Sequence, residues 1–466
     1  MTRLGSFLRT PSPFITIAAV VWVVALFPFW VGCNDSSAAD YTHQVPLTQE
    51  TEASPQTWYR SVDAEWGGHF KAIGAASWPD DQTCFQYVGT GTYYDGSLDF
   101  RFKNKVFFSN WGNFETHYEA ILSGGDTRRK TNELQNNYPG LASSGVVKQS
   151  SINDDHRLMN LTNIIEENEN YILYQRLDRF VLTWQPEWGT AKIGRQAVTW
   201  GNGLLFNPMD LFNPFEPTDV IRDYKIGVDM ANLAVPLSSG ADTQFLCVPR
   251  RDPANGEVEW DESSLAGKMH FPFGATEFDL MAARHYQAQI VGIGSMGYWG
   301  NAAWRLDGTW TFLNSESAND DYLSLVANID YSWVWLGKNM YGLVEYFFNG
   351  LGETNYSQAL ANQDISKRIL RGELFTLGRH YLSGQIQLEI HPLLNTYISI
   401  ITNMSDPSGI IQPRAIWDMK TELQATLGAN LNFGRTGSEY GGFPIPGTSC
   451  LYKPADSVYL LLTYYF

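Results

Sequence analysis

The last ten residues of the chain, SVYLLLTYYF at positions 457–466, decide the class of fold. One face of this stretch is apolar throughout and carries Val458, Leu460, Leu462, Tyr464 and Phe466. Alternation with a period of two is typical of a β-strand. About ten residues is also the length that a tilted strand needs to cross a bilayer, whereas strands in soluble proteins favour five or six. The pattern therefore favours a membrane-spanning strand.

The same alternation recurs along most of the chain. In 323–331, for example, Leu323, Leu325 and Ala327 share one face, while Ser324 and Asn328 lie on the other. Such runs predict strands with one apolar and one polar face. The candidate strands are 63–77, 96–108, 113–123, 173–185, 189–199, 230–238, 242–249, 263–272, 275–285, 287–297, 299–312, 321–333, 338–349, 379–390, 393–404, 409–418, 420–433 and 457–466.

Short and long connections tend to alternate along the chain. Even-numbered strands are followed by tight links, such as Asn110-Trp111-Gly112 and Pro186-Glu187-Trp188. Many odd-numbered strands are followed by long segments, most of them polar: 78–95, 124–172, 200–229, 250–262, 350–378 and 434–456. Short turns on one side and long loops on the other are typical of outer-membrane barrels. We predict one all-β, antiparallel transmembrane β-barrel over 63–466. Eighteen strands are favoured, but sixteen stay open because the strands within 285–299 run together.

Composition excludes two other classes of protein. The chain has 466 residues, 44% hydrophobic and 17% charged, and a net charge of −17. After residue 31 it has no apolar run long enough for a membrane helix, which excludes a helical bundle. The acidic balance argues against nucleic acid as a partner. One disulfide among Cys84, Cys247 and Cys450 is conceivable in an oxidising compartment, although spacing cannot choose the pair.

The first forty residues have the pattern of a targeting segment and not of a barrel strand. Arg3 and Arg9 precede the apolar stretch 14–31, and small residues precede Asp40. This pattern predicts an export signal over 1–39, followed by a short periplasmic segment over 40–62. Two alternatives stay open: an uncleaved anchor, and lipidation at Cys33.

The C-terminal strand resembles the last strand of bacterial outer-membrane proteins, which ends in an aromatic residue. That resemblance implies recognition of the Phe466 strand by the barrel-assembly machinery, and contact with outer-membrane lipid and lipopolysaccharide. Aromatic residues near strand ends, such as Trp310, Trp333 and Trp335, agree with it, because interfacial girdles are aromatic. The predicted location is the bacterial outer membrane.

The connection over 199–230 is unusual because it is apolar. It contains LLFNPMDLFNPF at 204–215, whose Phe206, Phe212 and Phe215 need burial. We expect this loop to fold into the barrel, with those three side chains as its anchors. Its position resembles the third external loop of general porins, which forms their constriction. A hydrophobic cap on the rim or against a partner is the alternative.

Gly194-Arg195-Gln196 stands just before this loop. A Gly-Arg-Gln strand followed by Trp-Gly resembles Gram-negative porins and alginate-export barrels, and the resemblance implies that Arg195 faces the lumen. The alternative is that Arg195 pins the loop through Asp210 or Asp219. The residues that we expect to line the pore or its constriction are Arg195, Gln196, Asp210, Arg101, Lys103, Arg179 and Arg305.

These features favour an outer-membrane porin-like channel for passive diffusion of small hydrophilic solutes, with anionic solutes as one option. The alternatives are an insulating sheath around multihaem cytochromes and a polysaccharide exporter. The eight scattered His residues favour no catalytic site, so we expect no enzyme. No haem motif or zinc spacing occurs, so we expect no cofactor or metal.

Overall fold

The barrel closes with eighteen antiparallel strands. The computed structural model describes residues 63–138, 152–238, 240–314, 317 and 319–466. The predicted export signal, Cys33 and the 40–62 segment lie outside these residues. Strand β1 pairs with β2 on one side and with the last strand, β21, on the other. The all-β barrel prediction is confirmed, with the favoured strand number.

Each predicted strand corresponds to one barrel strand. The barrel strands are β1 (Asp63–Trp78), β2 (Tyr93–Phe107), β3 (Gly112–Gly125), β5 (Tyr171–Trp184), β6 (Thr190–Gln196), β7 (Val228–Pro236), β8 (Asp242–Val248), β9 (Ser264–Phe273), β10 (Thr276–His285), β11 (Ala288–Trp299), β12 (Ala302–Phe312), β13 (Tyr322–Trp335), β14 (Lys338–Asn349), β15 (His380–His391), β16 (Leu394–Asn403), β17 (Ser408–Lys420), β18 (Leu423–Phe433) and β21 (Asp456–Tyr465). The remaining elements belong to the connections: β4 (Thr162–Glu167), β19 (Phe443–Pro444), β20 (Leu451–Tyr452), three α-helices (Asp126–Asn137, Tyr356–Ala361, Gln363–Leu370) and a 3-10 helix (Cys84–Tyr87).

The two ends of the barrel differ in the length of their connections. One end, called the turn end here, has tight links such as 274–275, 300–301 and 336–337. The other, the loop end, has the long connections; two of them are 197–227 and 350–379. Outer-membrane barrels keep short turns in the periplasm and long loops outside, so the loop end is external.

The outer face of the barrel is apolar. Leu280, Val291, Leu306 and Ile386 point outward and are exposed. Apolar side chains in that position are stable against lipid, and a closed barrel leaves no unpaired strand edge in the hydrocarbon. Large aromatic side chains are exposed at the turn end, as an interfacial girdle requires: Trp66, Trp111, Trp188, Trp299 and Trp335.

Two groups of four neighbouring strands have contrasting inner faces, and they are called the charged half and the apolar half here. The charged half, β1, β2, β3 and β5, points Lys, Arg, Asp and Glu side chains inward. The apolar half, β8 to β11, points mostly apolar residues inward, such as Leu246, Ala266, Met281 and Ile290, all buried. This explains why alternation is weak near 285–299: in the apolar half both faces of a strand are apolar.

Candidate functional site

The connection 197–227, called the lumen loop here, lies inside the barrel. Asn202 donates to Asp307 on β12 over 2.9 Å. Further along the loop, Asp223 accepts from Lys71 on β1 over 2.7 Å. Strands β12 and β1 stand on opposite sides of the ring of eighteen. A loop that contacts inward-facing side chains on both must cross the lumen.

Two wall carboxylates hold the start of the crossing. Asp307 accepts from the backbone N–H groups of Asn202 and Gly203. Glu345 accepts from those of Leu204, at 2.8 Å, Leu205 and Phe206, at 2.7 Å. Both carboxylates are fully buried. Hydrogen bonds to ionised acceptors are about twice as strong as neutral ones. Five consecutive amides on two carboxylates therefore fix this turn against the wall.

The glycines of Trp200-Gly201-Asn202-Gly203 allow that turn. Gly201 has a φ of +83°, in the left-handed region that favours glycine. A Cβ on Gly203 would lie 1.9 Å from the carbonyl oxygen of Phe206. Side chains at either position would strain the backbone that presents its amides to Asp307 and Glu345.

Apolar contacts hold the same loop in two places. Phe206 stacks on Phe347 of β14, with 4.5 Å between ring centroids. Phe212 is buried and meets Trp200 edge to face at 5.8 Å. Phe215, by contrast, is 38% exposed. Its expected role as an anchor is therefore corrected, because its ring is not enclosed.

Asp210 braces the loop internally. Both of its carboxylate oxygens lie 2.7 Å from Nζ of Lys225, which also donates to the Val198 carbonyl over 2.6 Å. Burial raises the pKa of Asp210 to about 6, although Lys225 acts in the opposite direction. Asp210 has almost no exposed surface. The expectation that it lines a constriction is therefore corrected.

Arg195 is fully buried and does not face an aqueous passage, so its expected place in the pore lining is also corrected. It pairs with Asp229 at 2.7 Å and with Asp154 at 3.1 Å, and donates to the Met159 carbonyl over 2.6 Å. It thus pins the segment 152–161, through partners other than Asp210 and Asp219.

Asp154 and Gln196 complete this buried cluster. Burial alone would raise the pKa of Asp154, but the guanidinium groups of Arg195 and Arg157 hold it below its ordinary value. Gln196 is buried too and donates to the Met230 carbonyl over 3.2 Å, so it is corrected in the same way.

Gly194 explains why the motif needs a glycine before Arg195. Its φ is +125°, and a Cβ there would lie 2.1 Å from the carbonyl oxygen of Phe180 on the neighbouring strand. Only glycine adopts this conformation without strain. The backbone conformation therefore requires glycine at position 194, next to the buried Arg195 cluster.

The charged half contains a network of ion pairs centred on Arg101. Its guanidinium pairs with Glu119 and with Asp178 at 2.7 Å, and lies 3.7 Å from the ring centre of Tyr224 in the lumen loop. Arg179 pairs with the same Asp178 at 2.6 Å. Arg101 is almost completely buried, so its charge is compensated within the wall rather than presented to water.

Lys103 and Lys105 follow Arg101 toward the turn end. The side chain of Lys103 is exposed in the lumen and that of Lys105 is half-buried. Among the residues that the structure describes, neither forms an ion pair. Arg305 lies across the barrel on β12, where it pairs with Asp330. The expected basic residues therefore belong to two opposite walls and do not form one ladder.

A cavity of about 810 Å³ lies between the charged half and the 219–226 arm of the lumen loop. Its lining includes Lys71, Asp99, Arg176, Asp223 and Tyr224. The loop arm meets the wall through the Lys71–Asp223 pair and through a 3.2 Å hydrogen bond from Tyr224 to Asp99. These two contacts narrow the space between the loop and the charged half.

Sequence reasoning missed the two carboxylates that hold the loop, and the partners Lys71 and Tyr224. A signal was available for one of them: Glu345 is the one acidic residue in the mostly apolar stretch 340–348. In the described part of the chain, no three His, Cys, Asp or Glu side chains are grouped to hold a metal ion. None of the helices in that part is long and apolar enough to cross a membrane.

Comparison with known proteins gives similar structures only. No family model matches the sequence, and no curated protein matches it. OccAB2 of Acinetobacter baumannii is 9% identical, with a TM-score of 0.51 over 87% of this chain and 98% of that chain. A BenF-like porin from Pseudomonas fluorescens Pf-5 is 9% identical, with a TM-score of 0.46 over 87% and 98%. Wzi, an outer-membrane protein involved in group 1 capsule assembly in Escherichia coli, is 10% identical, with a TM-score of 0.46 over 85% and 84%.

The likeness to OccAB2 concerns the fold alone. The chain is a closed eighteen-strand barrel with the fold of outer-membrane porins, and its location is the bacterial outer membrane. The resemblance to porins is confirmed at the level of the fold. The narrower resemblance drawn from Gly194-Arg195-Gln196 stays a prediction.

Proposed function

We propose that the chain is a porin-like channel for passive diffusion of small hydrophilic solutes across the outer membrane. The observation that carries this proposal is the lumen loop: it crosses the barrel and contacts both walls, yet open space remains between its 219–226 arm and the charged half. A space of about 810 Å³ remains against the charged half. A polar, water-accessible space beside an inserted loop is what a size-selective channel requires.

The proposed route follows the charged half. A solute would enter from the loop end, pass the contacts of Lys71 and Tyr224 with Asp223 and Asp99, and leave beside Lys103 and Lys105. Arg101 and Arg179 share Asp178 and add little free charge. The two lysines without ion pairs would therefore dominate, and we infer a preference for anionic solutes.

The lumen loop also bears on the alternatives. A sheath around a cytochrome needs a wide, clear lumen, and a segment that contacts opposite walls through Asp307 and Lys71 obstructs it. No contact in the described residues favours polysaccharide export over diffusion of small solutes.

The test is single-channel recording in planar bilayers. We expect discrete conductance steps from the purified protein, with a reversal potential in a KCl gradient that indicates anion preference. Lys103→Gln should shift that potential toward cations. Lys338→Gln is the matched control, because Lys338 is exposed at the turn end and lies on β14, away from the charged half. Absence of conductance steps above the pure-lipid baseline would overturn the proposal.

A further inference from the structure

Two buried cysteines meet where the first and last external connections pack together. Cys84 lies in the connection 79–92 and Cys450 in the connection 434–455. Both are almost completely buried, and they belong to one apolar cluster with Val88, Leu134 and Ile445. The third cysteine of the described residues, Cys247, is exposed on β8.

The backbone around this pair is already joined. The N–H of Leu451 donates to the carbonyl of Gln82 over 2.9 Å, and Thr83 and Leu451 form a parallel β-bridge. Nε2 of Gln86 lies 4.0 Å from Sγ of Cys450. Cys84 and Cys450 adjoin the two bridge partners in sequence, and both are free thiols in the same apolar cluster.

Side chains on either side reinforce the contact. Lys453 pairs with Asp80 at 2.5 Å, and the hydroxyl groups of Tyr87 and Ser449 are 2.7 Å apart. These contacts hold the two connections together without any covalent bond. A cross-link between the cysteines would therefore join two segments that already pack against each other.

From this geometry we propose that Cys84 and Cys450 form a disulfide in the mature protein. The bond would join the first and last external connections directly above the seam where β1 pairs with β21. This disulfide does not depend on the proposed channel function. It requires only that the loop end passes through an oxidising compartment, as exported proteins do.

The oxidant would be a disulfide-bonded thiol oxidase of the cell envelope. The thiolate of one cysteine attacks the disulfide of the oxidase and forms a mixed disulfide, releasing one oxidase thiolate. The thiolate of the second cysteine then displaces the oxidase sulfur. The chain gains one S–S bond and loses two electrons and two protons, which leave with the reduced oxidase dithiol.

The reaction must precede burial of the pair. In the folded barrel, burial and the neighbouring Cys450 thiol raise the pKa of Cys84 to about 12. A thiol of that kind forms almost no thiolate, which is the reacting species. We therefore expect the bond to form before or during folding, and to resist reduction by exposed thiols afterwards.

The test is mass spectrometry of the full chain taken from cells in N-ethylmaleimide, which blocks free thiols before lysis. The protein is unfolded in the same reagent and digested without reduction. We expect a linked peptide pair containing Cys84 and Cys450, two hydrogens lighter than the two free peptides, in most of the protein. The same linked pair should persist in Cys247→Ser, the control for mispairing.

Two outcomes would overturn the proposal. One is maleimide on both Cys84 and Cys450 in most of the unfolded protein. The other is a linked peptide that joins either of them to a different cysteine. A second measurement tests the effect of the bond on stability. In heated SDS without reductant, the wild-type barrel should unfold at a higher temperature than Cys84→Ser/Cys450→Ser. Cys247→Ser should unfold at the same temperature as the wild type.

Discussion

The two halves of the barrel wall use the same strand geometry for different purposes. In the apolar half, inward-facing Met281 and Ile290 pack against the lumen loop and leave little space. In the charged half, inward-facing charges pair with one another around Arg101, and a cavity of about 810 Å³ remains beside them. The difference shows how a loop can narrow a wide barrel unevenly: apolar residues pack against the loop in one part of the wall, and a cavity remains beside the paired charges in another.

The largest effect should follow from removing the carboxylates that hold the loop. Asp307→Ala/Glu345→Ala leaves five backbone N–H groups without their acceptors, and each lost bond to a charged group costs about 1.5–3 kcal/mol. We expect the start of the loop to detach from β12 and β14 and single-channel conductance to rise severalfold. Protease should also cleave the loop in the variant but not in the wild type.

The matched control for that experiment is Glu389→Ala. Glu389 lies near the turn end of β15, where it accepts from Asn339 and makes no contact with the lumen loop. It should keep the wild-type conductance and resistance to protease. Equal conductance in the double variant and the wild type would contradict the prediction, because it would show that these loop contacts do not narrow the lumen.

Arg195→Ala should reduce stability more than selectivity. The substitution leaves Asp154 and Asp229 as buried carboxylates without their main partner, and breaking a buried pair in this way costs about 3–5 kcal/mol. We expect a lower unfolding temperature in SDS and an unchanged reversal potential in a KCl gradient. A shifted reversal potential with unchanged stability would instead place Arg195 in the passage.

The buried Asp210–Lys225 pair predicts a dependence of the loop on pH. Asp210 has a pKa of about 6 in the packed loop, whereas an exposed Asp has one near 4. The packed loop therefore binds the proton more tightly. Its extra stability is fully present below pH 4 and is lost as the pH rises through 6, by up to about 3 kcal/mol.

In recordings, this linkage should appear as loop-opening events that are rarer at pH 4.5 than at pH 7.5. Asp210→Asn cannot ionise and should remove most of the difference. The same pH dependence in the variant and the wild type would assign it to another group.

The smallest effect is expected for Phe215→Ala. Phe215 is 38% exposed, so truncating its ring removes little burial, and we expect a change in stability within about 0.5 kcal/mol. Phe206→Ala is the comparison, because its enclosed ring stacks on Phe347 and should cost about 3–5 kcal/mol. Unfolding in urea, followed by tryptophan fluorescence, would separate the two.

The strands could be predicted from the local sequence pattern, because each strand depends on alternation within about ten residues. The apolar segment around Phe206 and Phe212 likewise carries its own requirement for burial. The partners of Arg195 could not be predicted, because Asp154 and Asp229 reach it only after separate connections fold into the lumen. The same holds for Asp307 and Glu345, whose role depends on a loop more than a hundred residues away in sequence.

The most direct test of the account asks which half of the wall meets water. Single cysteines are introduced as Lys103→Cys in the charged half and Ala283→Cys in the apolar half, both in a Cys247→Ser background. A charged methanethiosulfonate reagent is then added during single-channel recording. We expect the reagent to lower the conductance of Lys103→Cys and to leave that of Ala283→Cys unchanged. Block at Ala283→Cys without block at Lys103→Cys would contradict a route along the charged half.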